Sequence, residues 1–125
     1  MGRSEDAIAF DRHLDATAPG VADIARALRD TVLAEFSGAI EWFDPGNGLL
    51  AIGAGRAMKS LQFAIIPHRA HVNLQLADGA ELADPDRRIE GTGKRVRHVK
   101  VRSVDDARSD WVRRVIRAQL AHPAP

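Results

Sequence analysis

The segment HVNLQL, residues 71–76, alternates polar and apolar side chains without a break. This period of two is typical of a β-strand with one buried face, because successive side chains of a strand point to opposite sides of the sheet. The pattern predicts an apolar face toward the core and a polar face away from it. The apolar residues are Val72, Leu74 and Leu76, and the polar residues are His71, Asn73 and Gln75.

Other extended stretches flank this strand on both sides. Residues 39–44, 49–53, 58–66 and 96–102 favour strands, and they are separated by turn signals such as DPGNG at 44–48. The last stretch also alternates, so Val99 and Val101 should join the same core. Short turns between consecutive strands indicate an antiparallel sheet. Residues 77–94 lack a sustained period, with turn or loop signals at 84–86 and 91–93.

Helical patterns lie before and after the strands. A short helix is predicted over residues 5–15, and apolar residues from 21 to 36 recur at steps of three, four and seven, as on one side of an amphipathic helix. Ser103 and Asp106 match a capping box that begins a final helix, which extends to about residue 121. The sequence predicts one α+β domain over residues 1–125, with a core of about 6–120. Its antiparallel sheet of about five strands should carry two N-terminal helices and one C-terminal helix on one face.

The composition excludes several functional classes. The chain has no cysteine, which excludes disulfides, thiol nucleophiles and thiolate metal sites. Its net charge of +1 argues against duplex nucleic acid as a partner. No apolar run approaches the roughly 20 residues of a membrane span, and the charged start lacks the apolar stretch of a secretory signal. We therefore expect a cytoplasmic protein with no membrane partner.

Basic residues are concentrated between positions 87 and 102, where Glu90 is the only acidic residue. Gly91 and Gly93 allow backbone N–H groups to converge on an anion. The phosphate-loop pattern is not met, because Arg88 and Arg95 occupy its first glycine position and its serine or threonine position. The same run also fits a solvated basic edge strand, whose charge deters pairing with other strands.

The polar faces of the two alternating strands should merge with this glycine-rich loop into one basic surface. Such a surface suits an anionic small molecule, carrying a carboxylate or a phosphate, or an acidic protein partner. The candidate ligand-binding residues are Thr92, Lys94, Arg95, His98, Lys100 and Arg102, together with His71, Asn73 and Gln75.

Other residues with chemical potential have simpler explanations. His68 and His71 are the only close histidine pair, and too few further ligands accompany them, so no metal-binding residue is assigned. Residues 105–106 fit helix capping, and residues 84–86 fit a turn around a proline. No catalytic residue is assigned, which favours a non-catalytic protein, while a small enzyme with an unrecognised site stays open as an alternative. Two aromatic residues are interpreted as core, Trp42 and Trp111.

Residues 89–102, IEGTGKRVRHVKVR, followed by the capped helix, resemble the YdhG-like family, also described as domain of unknown function 1801. The opening helix pair and the Trp42 strand that enters a Pro/Gly turn are similar too, so the resemblance covers about residues 6–120. It implies a compact α-β-α fold similar to frataxin, with the helices on one sheet face. Some members of the family are described as iron chaperones that deliver iron to iron–sulfur cluster assembly.

The resemblance makes iron the one cofactor to consider, and a frataxin-like intracellular iron chaperone the alternative to a binding or carrier module. An acidic ridge of the frataxin kind would consist here of Glu5, Asp6, Asp11 and Asp15. Arginines at positions 3 and 12 lie among these carboxylates, and a hard cation needs several converging carboxylate oxygens. We therefore expect weak or undetectable iron binding.

Overall fold

The computed structural model describes residues 4–122, which form one six-stranded antiparallel sheet and a layer of helices. The helices are α1 (Glu5–Leu14), α2 (Pro19–Glu35), α3 (Val104–Ala107) and α4 (Asp110–Ala121). The strands are β1 (Ile40–Asp44), β2 (Leu49–Gly53), β3 (Leu61–Pro67), β4 (Val72–Leu76), β5 (Ile89–Glu90) and β6 (Arg97–Val101). The order across the sheet is β1-β2-β3-β4-β6-β5, so β6 lies between β4 and β5. The predicted α+β fold is confirmed.

The pairing of β4 with β6 places the predicted apolar residues in one buried row. Val72 lies opposite Val101 and Leu74 lies opposite Val99, and all four side chains are completely buried together with Leu76. Strand alternation then sends the intervening polar residues to the other side of the sheet. The predicted orientation of both strands is confirmed.

The helices pack on the face of the sheet that carries these apolar residues. The predicted stripe of α2 is buried, and Leu28 and Val32 are completely inaccessible. Phe10 of α1 and Ile116 of α4 belong to the same core, which follows from the amphipathic pattern of each helix. Within residues 4–122, no helix is both long enough and apolar enough to cross a lipid bilayer.

Four local features differ from the prediction. The strand predicted over 58–66 begins at Leu61, because Met58–Ser60 form a single 3₁₀ turn. β5 adds a sixth strand, and its two residues are too few to show a strand period in the sequence. The final helix divides, because Ser103 caps the single turn of α3 and Ser109 then caps α4 by accepting the N–H of Val112. The interpretation of Trp42 as core is wrong: its neighbour Phe43 packs against the core, so alternation places Trp42 on the opposite face. Trp111 is buried, as predicted.

A carboxylate accepts a backbone N–H of the strand at each edge of the sheet. On β1, the N–H of Phe43 donates to Asp6 Oδ2 at 3.0 Å, and on β5 the N–H of Ile89 donates to Asp84 Oδ2 at 3.1 Å. Edge strands normally leave such groups open to pairing with another chain. Both edges are therefore partly closed to strand addition.

Candidate functional site

The side of the sheet opposite the helices, here called the free face, carries the polar residues of β4 and β6. The register places Asn73 directly opposite Lys100 and Gln75 directly opposite His98. Within residues 4–122, no helix packs on this side. We call the polar part of the free face the polar zone; its members are His71, Asn73, Gln75, His98, Lys100 and Arg102.

His71 reports the positive potential of the polar zone. Its pKa lies below the ordinary value of 6.5, first because burial disfavours the charged ring and next because His68, Lys100 and Arg102 repel the added charge. The rings of His68 and His71 stack with their centroids 4.8 Å apart and their planes 14° apart. This end of the free face is therefore already short of negative charge, and an anion would relieve the repulsion.

Asn73 provides an acceptor that the protein leaves unused. Its Oδ1 is enclosed, and no residue between 4 and 122 donates to it with hydrogen-bond geometry. The side chain nevertheless lies near enough to His71 to favour the protonated ring, which acts against the lowering of the His71 pKa. Asn73 Oδ1 is thus placed to accept a hydrogen bond from a protonated His71.

The cations of the polar zone are incompletely neutralised. Lys100 Nζ lies 3.5 Å from Glu90 Oε1, and both side chains are partly exposed, so this ion pair is loose. In the described part of the chain, neither Lys94 nor Arg102 forms an ion pair. By contrast, Arg29 of α2 is held by both oxygens of Glu41 at 2.6 and 2.9 Å. Positive charge is therefore available to a ligand on the free face, whereas on the helix side the charge of Arg29 is already paired with Glu41.

The glycine-rich loop joins β5 to β6 as a hairpin beside the polar zone. Gly91 has φ 118°, which favours glycine, and an added Cβ there would lie 3.6 Å from His98 Nδ1. Gly93 O accepts Arg97 Nε at 2.7 Å, which holds the loop closed. Thr92 and Lys94 are exposed on the loop. The structure brings them next to β6, as the sequence predicted.

Arg95 is the candidate residue that lies elsewhere. Its guanidinium donates to Asp78 Oδ1 at 2.6 Å, in a group of polar residues between the sheet and α4. Position 95 precedes β6, so strand alternation did not determine where its side chain points. Arg95 anchors the loop through Asp78, and its backbone carbonyl also accepts the N–H of Ala80 at 2.9 Å.

The buried polar group around Asp78 was not predicted. Gln119 is completely buried, and its Nε2 donates to Asp78 Oδ2 at 2.9 Å and to Gln62 Oε1 at 2.7 Å. Burial acts to raise the pKa of Asp78, but hydrogen bonds from Arg95 and Gln119 outweigh it and hold that pKa below its ordinary value. A polar residue at a core position of α4 was the available signal, because position 119 lies three and four residues from Ile116 and Val115.

Three depressions lie away from the centre of the free face. One of about 390 Å³ opens widely beside Arg102 at the start of α2, and one of about 180 Å³ lies between α1 and α2. A third, of about 210 Å³, adjoins the Asp78 group and is rimmed by the exposed Met58 and Val96. Of these, the widely open depression alone is near the several hundred Å³ of a typical small-molecule pocket.

Three of the four carboxylates of the candidate acidic ridge already have partners. Asp11 and Asp15 both accept hydrogen bonds from Arg26, at 2.6 and 3.0 Å, and Asp6 accepts the Phe43 N–H. Position 3 lies outside the described residues. Between residues 4 and 122, no group of three or more histidines and carboxylates is arranged to hold a metal ion.

Asp84 in the turn before β5 and Asp106 in the first turn of α3 have structural roles of the kind predicted, whereas Asp86 pairs with α4. Asp84 accepts the N–H groups of Arg88 and Ile89, and Asp106 accepts the N–H of Arg102. Asp86 forms a two-pronged ion pair with Arg114 at 3.0 Å.

Comparison with known proteins adds no relative from which a role could be transferred. The chain matches no protein-family model, no curated protein and no solved structure. The resemblance to the YdhG-like family therefore stays a prediction.

Proposed function

We propose that this protein is a non-catalytic binding or carrier module that holds an anionic group on the polar zone. The group would be a carboxylate or a phosphate, either of a small molecule or of an acidic protein. The observation that carries the proposal is the β4–β6 register, which gathers Lys100, His98 and Arg102 with the amides of Asn73 and Gln75 on an uncovered face. We place this activity inside the cell, in line with the absence of cysteine.

The polar zone can recognise an anion by charge and by hydrogen bonding together. Lys100 and Arg102 supply fixed positive charge, and ion-assisted hydrogen bonds are stronger than neutral ones. The amides of Asn73 and Gln75 offer further donors and acceptors at fixed positions in the sheet. His71 adds a conditional charge, because its lowered pKa keeps the ring neutral until an anion is close.

The two alternatives have less support in the contacts. For an iron chaperone, Asp6, Asp11 and Asp15 would have to leave their partners to converge on a cation. For an enzyme, the sequence assigns no catalytic residue from which a reaction could be argued. The YdhG-like resemblance is compatible with the proposed binding role and names no ligand for it.

Binding of citrate and inorganic phosphate, followed by amide chemical shifts in NMR at low salt, tests the proposal. We expect the largest shift changes at residues 71–75 and 98–102, because these backbone amides lie beneath the polar zone. The double variant Lys100→Ala/Arg102→Ala should lose most of the binding. The matched control is Arg12→Ala/Arg108→Ala, which removes two exposed arginines outside the polar zone. Equal loss in both variants, or shift changes elsewhere in the protein, would refute the proposal.

A further inference from the structure

The free face has a second, apolar part beside the polar zone. Side chains from β1, β2 and β3 project there; we call this set the apolar zone, and its members are Ile40, Trp42, Leu49 and Ile66. Ile40 is 39% exposed, and the other three are partly exposed. Beneath them, Ala51 and Ala64 retain 4% and 2% of their accessible surface, so the larger side chains close over them.

The two zones are continuous across the sheet. Trp42 lies opposite Ala51, Ala51 opposite Ala64, Ala64 opposite Gln75, and Gln75 opposite His98. This row passes from tryptophan to histidine through two alanines. Trp42 and Gln75 are three strand spacings apart, which is about 14 Å. A small anion bound at Lys100 would not reach the indole.

The shape of the face favours a macromolecular partner. None of the depressions described above is lined by Trp42 or by Gln75. A small molecule needs a cleft that covers most of its surface, and none of these three depressions supplies one around Trp42 or Gln75. A partner protein can instead cover a broad, gently curved surface.

The partly closed sheet edges bear on the mode of docking, since one backbone N–H of each edge strand is already occupied. Asp6 and Asp84 occupy backbone N–H groups of the two edge strands, which disfavours a partner that adds as a further strand. An extended segment laid on the face would leave its own backbone groups without partners, whereas a helix satisfies them internally. A helix of about thirteen residues spans about 19 Å, which matches the four strand spacings between Trp42 on β1 and Lys100 on β6.

We propose that the free face binds an acidic amphipathic helix of another protein. Carboxylates at one end of the helix face Lys100 and Arg102, and apolar side chains toward the other end pack on Ile66, Leu49 and Trp42, which lie two, three and four strand spacings from Lys100. This inference rests on the proposed function, because the polar zone must bind carboxylates for the helix to be held in this direction.

A second copy of this chain fits the face poorly. When two free faces meet across a two-fold axis, either each zone packs on the same zone of the other copy, or the polar zone of one copy packs on the apolar zone of the other. The first arrangement places Lys100 against Lys100, and the second places Lys100 against Trp42, a weak cation–π contact that supplies no carboxylate to the polar zone. An anionic membrane is also a weaker match, since membrane-binding surfaces usually cluster four or more lysines and arginines.

Two synthetic helix-forming peptides test the proposal with the full chain. The first has glutamates in one half and leucine and phenylalanine on one side of the other half, and the second replaces those apolar residues with glutamine. We expect the first peptide to bind about tenfold more tightly, because loss of an apolar anchor usually lowers affinity by about that factor. It should shift the NMR signal of the Trp42 indole as well as the amides of residues 98–102.

The variants Trp42→Ala and Leu49→Gln should abolish the preference for the apolar peptide while leaving citrate binding unchanged. Two substitutions guard against one of them disturbing the fold. Equal affinity for the two peptides, with citrate still bound at the polar zone, would overturn this inference and leave the proposed function intact. If the unmodified protein does not bind citrate, both the further inference and the proposed function are overturned.

Two further outcomes also count against the helix. One is a concentration-dependent dimer in sedimentation that Trp42→Ala abolishes, since the face would then be a self-association surface. The other is tighter, Trp42-dependent binding to vesicles of phosphatidylserine and phosphatidylcholine than to the apolar peptide. A monomer that binds the peptide and ignores such vesicles supports the proposal.

Discussion

The side-chain amide of Gln119 binds both the backbone and the side chain of Asp78. Gln119 Oε1 accepts the Asp78 N–H at 2.8 Å, and Gln119 Nε2 donates to Asp78 Oδ2 at 2.9 Å. The same Nε2 also donates to Gln62, so one buried amide joins α4, the start of β3 and the segment after β4. Because Asp78 in turn holds Arg95, the position of the glycine-rich loop depends on a residue in the last helix.

Replacing Gln119 with alanine should destabilise the protein by about 3 kcal/mol, because buried polar groups lose their partners and a cavity remains. Urea unfolding measures this change. Gln75→Ala is the matched control: Gln75 is also a glutamine but lies partly exposed on the free face, so the expected loss is below about 1 kcal/mol. Similar losses in the two variants would show that the buried amide is dispensable.

Asp78→Asn should weaken the dependence of stability on acid pH. The folded pKa of Asp78 lies below its ordinary value of 3.8, so its ionised form contributes stability that is fully present above that pH. This contribution is lost as pH falls through the folded pKa. Urea unfolding at several pH values below 5 should therefore give a shallower loss for the variant. Glu35 and Asp86 also have lowered pKa values and keep part of the slope. An unchanged slope would contradict the role assigned to Asp78.

The pKa of His71 should rise in the double variant Lys100→Ala/Arg102→Ala, because two charges that oppose its protonation are removed. Citrate should raise it in the unmodified protein for the same electrostatic reason. Binding of the anion then takes up a proton at His71, so citrate affinity, corrected for the protonation of citrate itself, increases as pH falls toward the lowered His71 pKa. NMR titration of the histidine ring protons measures both effects. A His71 pKa that does not respond to citrate would place the anion elsewhere.

The lowered pKa of His71 gives folding stability the opposite pH dependence to citrate affinity. Between its folded pKa and 6.5, His71 binds a proton more readily in the unfolded chain, so stability rises with pH across this window and levels off above it. His71→Gln should remove this part of the pH dependence in urea unfolding, while His13→Gln, on α1 and not among the groups that shift the His71 pKa, serves as the control. A slope that persists in His71→Gln would assign it to another group.

Replacing Lys94, Lys100 and Arg102 together with alanine should change stability little, because exposed charges each contribute within about half a kcal/mol. The same variant should bind citrate more weakly, and the difference from the unmodified protein should shrink as salt is added. Thermal unfolding and calorimetry measure the two properties. A loss of several kcal/mol of stability would show that these residues are structural and that the polar zone is not a binding surface.

The fold could be predicted where a simple period governs the side chains. Alternation in β4 and β6 determines which residues are buried, so the orientation of Val72, Leu74 and Val99 followed from the sequence. β5 could not be recognised, because it depends on Asp84 and on pairing with β6 rather than on its own two residues. The break between α3 and α4 was hidden because the capping serine at 109 lies inside a continuous apolar pattern.

The candidate site was predictable to the same extent. Residues on regular strands lie where alternation placed them, including His98 and Lys100. Arg95 lies before the strand, and its direction is decided by Asp78, which is seventeen positions away and is itself held by Gln119. Trp42 was assigned by residue type, whereas its position relative to Phe43 decides its face.

The alternation along β4 separates two kinds of selective constraint. Val72, Leu74 and Leu76 must stay apolar for the domain to fold, whereas their neighbours can change without entering the core. The sheet can therefore diverge in specificity at constant architecture, and it offers a protein engineer a scaffold on which randomised positions 71, 73, 75, 98 and 100 could be selected for new partners.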